Sequence, residues 1–171
     1  MMPSPVKHST RHLAYSALLL ALALLLSYVE SLVPLPLALP GVKLGLPNVA
    51  IMFAFFHVGC AAGAAVSLLR VLMVSLLFGS AVSFLFSAFG AMLAFAVLVL
   101  LSLTKRFGRI GVSVACAAAH GIGQLLAAAL LYGVAVFSYL PVLLFAALPF
   151  GTLCGVLLYA CETLLPPLRF L

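Results

Sequence analysis

Residues 80–103 read SAVSFLFSAFGAMLAFAVLVLLSL, an apolar run that contains no charged side chain and ends just before Lys105 and Arg106. A helix needs about 20 apolar residues to cross the hydrocarbon core of a bilayer. This stretch is therefore predicted to be a transmembrane helix, with the two basic residues marking a membrane interface.

The composition extends that prediction to the whole chain. Of its 171 residues, 67% are hydrophobic and 6% are charged, whereas ordinary soluble domains carry about 25% charged residues. A soluble fold of this length leaves roughly a third of its unfolded surface exposed and could not hide so much apolar area. Soluble enzymes, nucleic-acid-binding proteins and disordered tails are excluded. Residues 1–171 are predicted to form a single integral membrane domain in contact with lipid.

Other apolar runs resemble the first one. They are Leu13–Val33, Pro47–Val58, Cys60–Phe78, Gly111–Tyr132 and Tyr139–Leu165. The predicted fold is all-α, with about six transmembrane helices. The second run is short, so a tilted or re-entrant segment is the alternative there. The first run looks like a signal peptide, but further membrane segments follow it at once, and it is interpreted as a retained helix.

Basic residues predict the orientation of the helices. Six of the eight lie in residues 1–12, in residues 104–110 and at Arg169. Six spans place these three regions on one side, and positively charged segments stay in the cytoplasm. Both chain ends are therefore predicted to be cytoplasmic in a multi-pass protein of the cell membrane. His57 and Glu162, near the same side, are interpreted as interfacial side chains.

The outer loop, residues 34–45, has an unusual composition. Pro34, Pro36 and Pro40 disfavour helix and stiffen this segment, which is otherwise apolar. It is predicted to pack over the helices as a lid or plug. Its one charged residue is Lys43.

Polar side chains in the outer half of the spans are candidates for a ligand site. An ionisable residue at the centre of a membrane costs at least about 2.5–3.5 kcal/mol and marks a functional position by default. The predicted substrate-binding residues are Glu30, Lys43, Asn48, Arg70, His120 and Gln124. His120 and Gln124 are four residues apart and share a helix face. Three potential cations against one acid favour an anionic or strongly hydrogen-bonding ligand.

Structural roles are the alternatives for these residues. Glu30 and Lys43 would then be solvated, Arg70 would pair with Glu30, and His120 would bond a backbone carbonyl.

Small residues also recur four apart, at Gly59–Gly63 and Gly151–Gly155. Such pairs let helices approach closely in lipid, and internal packing is the favoured role for the glycines.

Several kinds of chemistry have no support in the sequence. The chain contains no Asp, no Walker-type phosphate loop, no His-Glu-x-x-His motif and no Gly-x-Ser-x-Gly motif. None of the four cysteines forms a Cys-x-x-Cys pair, so no metal or disulfide framework is indicated and the cysteines are predicted to be buried core residues. No cofactor and no enzymatic activity are expected.

Three stretches carry a resemblance to a known family. They are ESLVPLPLALPGVKLGLPN at 30–48, SLLRVLMVSLLFGS at 67–80 and AHGIGQLLAA at 119–128. They resemble the bacterial membrane family called Gx transporters, which is also labelled heptaprenyl diphosphate synthase component I. This chain departs from the family's pattern at Pro47, where Ala is usual, and at Gly121, where Asn is usual.

The family in turn looks like the substrate-binding S components of energy-coupling factor (ECF) importers. The resemblance implies six helices, a site near the outer face, a small micronutrient-like or isoprenoid-precursor-like solute, and separate partners: a transmembrane coupling protein and two cytoplasmic ATPases. In S components an Ala-x-x-x-Ala motif contacts the coupling protein, and Ala17 and Ala21 match it here. The alternatives are a membrane subunit that accompanies isoprenoid diphosphate synthesis, as the second label suggests, and a purely structural subunit.

Overall fold

A computed structural model of the protein describes residues 5–32 and 45–164. Within them the chain forms six α-helices and one 3-10 helix and contains no strand, which confirms the all-α prediction. The elements are α1 (Pro5–Leu32), α2 (Pro47–His57), α3 (Cys60–Phe78), α4 (Ala81–Thr104), α5 (Arg109–Tyr132), a 3-10 turn (Val134–Tyr139) and α6 (Leu140–Leu164). Lys43 and nearly all of the predicted outer loop lie outside the described residues.

The helix boundaries follow from local chemistry. The hydroxyl of Ser80 accepts a hydrogen bond from the backbone N–H of Ser83 at 3.2 Å and caps the start of α4. At the other end of α4, Lys105 adopts a left-handed conformation with φ +51°, which terminates the helix. The polar residues that bracket this apolar run therefore set the bounds of the helix.

Helix α2 differs from the other five. Those five are long and apolar enough to cross a membrane, whereas α2 has 11 residues and a length of about 16 Å, half of a hydrocarbon core of about 30 Å. Ala50, Met52 and Ala54 are almost completely buried. The short apolar run is thus a core helix, packed against α1, α3 and α6.

The six helices form two groups of three. Helices α1, α2 and α3 pack on one another, α5 packs between α4 and α6, and the groups meet where α3 contacts α4 and α2 contacts α6. We call the end of the bundle that carries Lys105 and Arg106 the basic end. Helices α2, α4 and α6 run towards this end, and α3 and α5 run away from it.

Glycines bring the helices of the second group into backbone contact. A Cβ atom at Gly123 would collide with the carbonyl oxygen of Phe89 on α4, and one at Gly151 would lie 2.6 Å from Cα of Val114. Gly155 makes the same kind of contact with Ile110. The favoured interpretation of the Gly151–Gly155 pair, internal packing, is confirmed.

Candidate ligand-binding site

A cavity of about 60 Å³ lies between the two groups of helices, and every α-helix contributes to its lining. Five of the six predicted site residues line it, and the sixth, Lys43, lies outside the described residues. The polar lining residues are Glu30, Asn48, Arg70, Ser87, Ser113, His120 and Gln124. Residues far apart in the sequence thus converge on one cavity.

The cavity lies deeper than the sequence indicated. Arg70 and His120 stand near the middle of α3 and α5, and Cys154 lies near the middle of α6. Glu30 and Gly45, which contact each other, lie at this same depth because Gly45 also contacts Cys154. The first helix therefore ends, and α2 begins, at about the mid-length of α6 rather than at its outer end.

Arg70 supplies an unsatisfied donor to the cavity. Its Nε atom is buried and has no hydrogen-bond partner among the described residues, while the carboxylate of Glu30 is close enough to interact with it electrostatically. A buried donor on a charged group that lacks a partner costs more than the 1–3 kcal/mol typical of neutral groups. A ligand that offers an acceptor would remove this cost.

Glu30 and Cys154 hold Gly45, which lies two residues before the start of α2. An oxygen of Glu30 accepts a hydrogen bond from the backbone N–H of Gly45 at 2.8 Å, and the thiol of Cys154 donates to the carbonyl oxygen of Gly45 at 3.4 Å. Gly45 has φ +76°, a conformation that L side chains rarely adopt. The alternative of a merely solvated Glu30 is wrong, since its carboxylate bonds the backbone of Gly45 and lines the cavity.

His120 and Gln124 lie on the same face of α5, as their spacing predicts. The imidazole of His120 packs against Gly90 of α4, where a Cβ atom would lie 2.8 Å from Cε1. Gly90 therefore provides the space for the ring. Gln124, one turn further on, is 7% exposed and lines the same cavity.

Sequence reasoning missed two polar lining residues, Ser87 and Ser113, and the thiol of Cys154. Ser113 precedes His120 by two turns of α5, and together with Ala117 it continues the face of His120 and Gln124. Extending that helical stripe backwards would have found it. Ser87 and Cys154 carried no comparable signal, because a lone serine or cysteine in an apolar helix looks like core.

The comparison with protein families decides the affiliation. A family model described as heptaprenyl diphosphate synthase component I matches residues 19–161. The chain belongs to this family. Comparison with curated proteins and with solved structures gives no match. The range that matches heptaprenyl diphosphate synthase component I includes all the lining residues, from Glu30 to Cys154, so the cavity is part of the region shared with the family.

This member of the heptaprenyl diphosphate synthase component I family has a second polar cluster, at the basic end. Glu162 of α6 lies 3.1 Å from Nε2 of His57 and 3.0 Å from Nε of Arg109. The guanidinium of Arg109 also stacks 3.7 Å above the ring of Phe56. The interpretation of His57 and Glu162 as simple interfacial side chains is therefore corrected: they pair with each other and join α2, α5 and α6.

Replacing Glu162 tests this cluster. We expect Glu162→Gln to lower the free energy of unfolding by about 1–3 kcal/mol, because the side chain of Glu162 is only 15% exposed and its loss leaves Arg109 without its carboxylate. Thermal unfolding of the detergent-solubilised protein measures the effect. Thr163→Ala is the matched control, since Thr163 is exposed and its hydroxyl donates to the carbonyl of Ala160 in its own helix. Equal stability of the two variants would contradict a stabilising role.

The cysteines and the acids offer no metal site in the described part of the chain. No group of three or more His, Cys, Asp or Glu side chains in residues 5–32 and 45–164 is arranged to hold a metal ion. Cys116 and Cys154 are buried as predicted, but Cys60 is exposed, so the prediction of core positions is wrong for that residue. Cys60 is the first residue of α3 and follows Gly59, which ends the α2–α3 connection.

Proposed function

We propose that this protein is the solute-binding membrane component of an ECF-type importer and that the cavity is its binding site. The observation that carries the proposal is the convergence of Glu30, Asn48, Arg70, His120 and Gln124 on one cavity inside an apolar helix bundle. Polar and ionisable groups inside membrane helices are expensive and serve function by default. A purely structural subunit has no need of a buried guanidinium nitrogen that lacks a partner among the described residues.

In this mechanism the chain binds the solute, and separate proteins supply the energy for transport. The solute binds between the two groups of helices, in contact with Arg70 on α3 and with the polar face of α5. Gly45, held by Glu30 and Cys154, positions Asn48 at the start of α2. The sequence contains no Walker-type phosphate loop, so ATP is hydrolysed by two separate ATPases, and a transmembrane coupling protein transmits the resulting conformational change.

The family's description favours a second candidate, a membrane subunit that accompanies isoprenoid diphosphate synthesis. Prenyl diphosphate synthesis uses clusters of acidic residues to hold magnesium and diphosphate. This chain has two acids and no Asp. Glu30 bonds Gly45 at the cavity, whereas Glu162 bonds Arg109 at the basic end. In this second role the chain would assist a separate synthase.

Reconstitution distinguishes the two candidates. The chain is purified alone and together with a coupling protein and ATPases, and mass spectrometry identifies small molecules that co-purify with it. We expect a retained solute and ATP-dependent uptake of that solute into proteoliposomes. In the rival case there is no retained solute and no uptake, and adding the chain to a soluble prenyl synthase changes the rate or the length of its product.

The alanines of α1 are candidates for the contact with the coupling protein. Ala17 and Ala21 are both exposed, four residues apart on one face of α1, unlike Gly151 and Gly155, which are covered by α5. Small residues at this spacing allow another helix to approach closely. The exposure of this face supports the proposed partner contact.

Enlarging both alanines tests that contact. We expect the double substitution Ala17→Leu and Ala21→Leu to reduce co-purification with the coupling protein about tenfold or more, because the added side chains keep the partner helix at a distance, while solute binding is unchanged. The matched control is Ala61→Leu with Ala65→Leu, an equally spaced exposed pair on α3. Equal loss of partner binding in both double variants would contradict a specific role for α1.

A further inference from the structure

A second cavity lies beside the ligand-binding cavity. Its volume is about 20 Å³, which corresponds to roughly one or two water-sized positions at 10–15 Å³ each. Seven of its nine described lining residues carry an apolar side chain or a thiol, among them Met52, Ala94, Leu98 and Cys116. Met52 and Leu98 are each 2% exposed, so the core of the bundle encloses this second cavity.

The second cavity lies on the basic-end side of the first. On α3 it is lined by Ser67, one turn before Arg70 of the ligand-binding cavity, and on α4 by Ala91, one turn after Ser87. Because α3 runs away from the basic end and α4 runs towards it, both steps lead towards that end. The two cavities therefore follow one another along the length of the bundle.

Asn48 is the one residue, among those that the structure describes, that lines both cavities. It stands in the first turn of α2, and its Nδ2 atom would lie 3.3 Å from a Cβ atom at Gly45, which lines the ligand-binding cavity. Ile51 and Met52, one turn further along α2, line the second cavity. The side chain of Asn48 thus stands at the boundary between the two.

The two cavities suit different chemical groups. The first offers the guanidinium of Arg70 and the amide of Gln124, whereas Asn48 and Ser67 are the described lining residues of the second whose side chains carry N or O atoms. A buried water typically makes about three hydrogen bonds, so the second cavity is a poor water site and a better site for a short alkyl group. Met52 can adapt to such a group, because its unbranched side chain fills irregular gaps.

We propose that Asn48 is a specificity-determining residue that closes the ligand-binding cavity towards an apolar subsite for a short alkyl group. The native chain then selects solutes without an alkyl branch on the side that faces the basic end, and loss of the Asn48 amide admits solutes that carry one. This inference rests on the proposed binding function and states which part of the solute is limited in size.

One native cysteine in each cavity makes this boundary measurable. Cys154 lines the ligand-binding cavity and Cys116 lines the second cavity. The detergent-solubilised full chain is treated with methyl methanethiosulfonate, a small neutral thiol reagent, and mass spectrometry of the peptides follows both cysteines over time. We expect Asn48→Ala to speed the labelling of Cys116 about tenfold or more relative to Cys154, because thiol reactivity depends on access. Asn48→Ser, which is also smaller than the native residue, should have the same effect.

Two further variants identify the cause of the change. Gln124→Ala removes an amide that lines the ligand-binding cavity and not the second one, so it should leave the labelling of Cys116 as it is in the native chain. Ala94→Val, added to Asn48→Ala, enlarges a side chain in the wall of the second cavity. We expect this double variant to label Cys116 as slowly as the native chain, because the opened space is filled again.

Small probe molecules test the consequence for solutes. The thermal unfolding midpoint is measured with about 50 mM of acetate, butyrate, acetamide or butyramide, at constant ionic strength. Within each pair the head is the same and the alkyl chain differs, so the comparison does not depend on the charge that the site prefers. We expect the native chain to respond more to the shorter member of a pair and Asn48→Ala to the longer one, because two buried methylene groups strengthen binding by about tenfold.

Two results would overturn the inference. One is equal labelling of Cys116 in the native chain and in Asn48→Ala. The other is the same response of these two proteins to every probe although a solute co-purifies with the native chain. Failure of the proposed function is distinct: Cys116 then responds to Asn48→Ala as expected, but neither the probes nor the co-purification experiment reveals any bound molecule.

Discussion

Arg70→Gln will weaken solute binding by about 100-fold and will leave the unliganded protein at least as stable as the native one. Hydrogen bonds to charged groups contribute about 1.5–3 kcal/mol each, and 1.4 kcal/mol corresponds to a factor of ten in affinity. The same guanidinium has a buried Nε without a partner among the described residues, so its removal relieves a cost in the empty cavity. Gain of stability with loss of binding is what a ligand-binding cation, unlike a structural one, should show.

Two measurements on the same preparations separate these roles. Mass spectrometry of the co-purified solute reports binding, and thermal unfolding after the solute has been removed reports stability. Arg106→Gln is the matched control, with the same chemical change at an exposed site, and should alter neither. If Arg70→Gln instead lowers the free energy of unfolding by about 3–5 kcal/mol, as removal of one member of a buried ion pair does, Arg70 is a structural partner of Glu30.

Gly123→Ala will destabilise the fold although it adds a single methyl group. That methyl carbon would collide with the carbonyl oxygen of Phe89 and lie 2.8 Å from Cα of Gly90. Both are backbone atoms of α4, so the whole helix must move to make room. Overpacking of this kind costs about 1–3 kcal/mol, which lowers the unfolding midpoint of a chain of this size by about 2–12 °C. Because Gly90 also packs on His120, solute binding should weaken as well.

Gly111→Ala is the control on the same helix. A Cβ atom there would have its nearest contact 3.7 Å away, on the side chain of Phe107, which is an ordinary van der Waals distance. Alanine is a better helix former than glycine, so this variant should be neutral or slightly stabilising. If Gly111→Ala and Gly123→Ala have equal midpoints, the backbone contact between α4 and α5 is not the cause of the glycine requirement.

The long helices could be predicted from the sequence because their signal is local. An apolar run of about 20 residues is expected to form a helix that spans the membrane. The ends of α4 follow from Ser80 and Lys105 within a residue or two. Helix α2 has too few residues for that argument. Its position in the core depends on packing against α1, α3 and α6, and no pattern within its own residues specifies this.

The charged residues of the site could be predicted for a different reason. An arginine in the middle of an apolar helix is conspicuous, since the membrane makes it expensive, and Arg70, Glu30 and His120 do meet at one cavity. Serine is common in apolar helices, so Ser87 could not be predicted, and Ser113 could be recognised only from its place on the helix face of His120 and Gln124. The pairing of His57 and Arg109 with Glu162 was missed because it joins residues that are 105 and 53 positions apart.

The charge and the size of the cavity are set by different residues, because small residues of α5 and α6 form much of its wall. Among the described residues, its charges come from Arg70 and Glu30, on α3 and α1, whereas much of its wall consists of Ala117, Gly121 and Ala147. A Cβ atom at Gly121 would meet its nearest neighbour at 3.6 Å, so this position tolerates a side chain that Gly151 does not. If the cavity binds a solute as proposed, a substitution at Gly121 changes the size of the pocket and leaves Arg70 and Glu30 in place, so the size and the charge of the site can change independently.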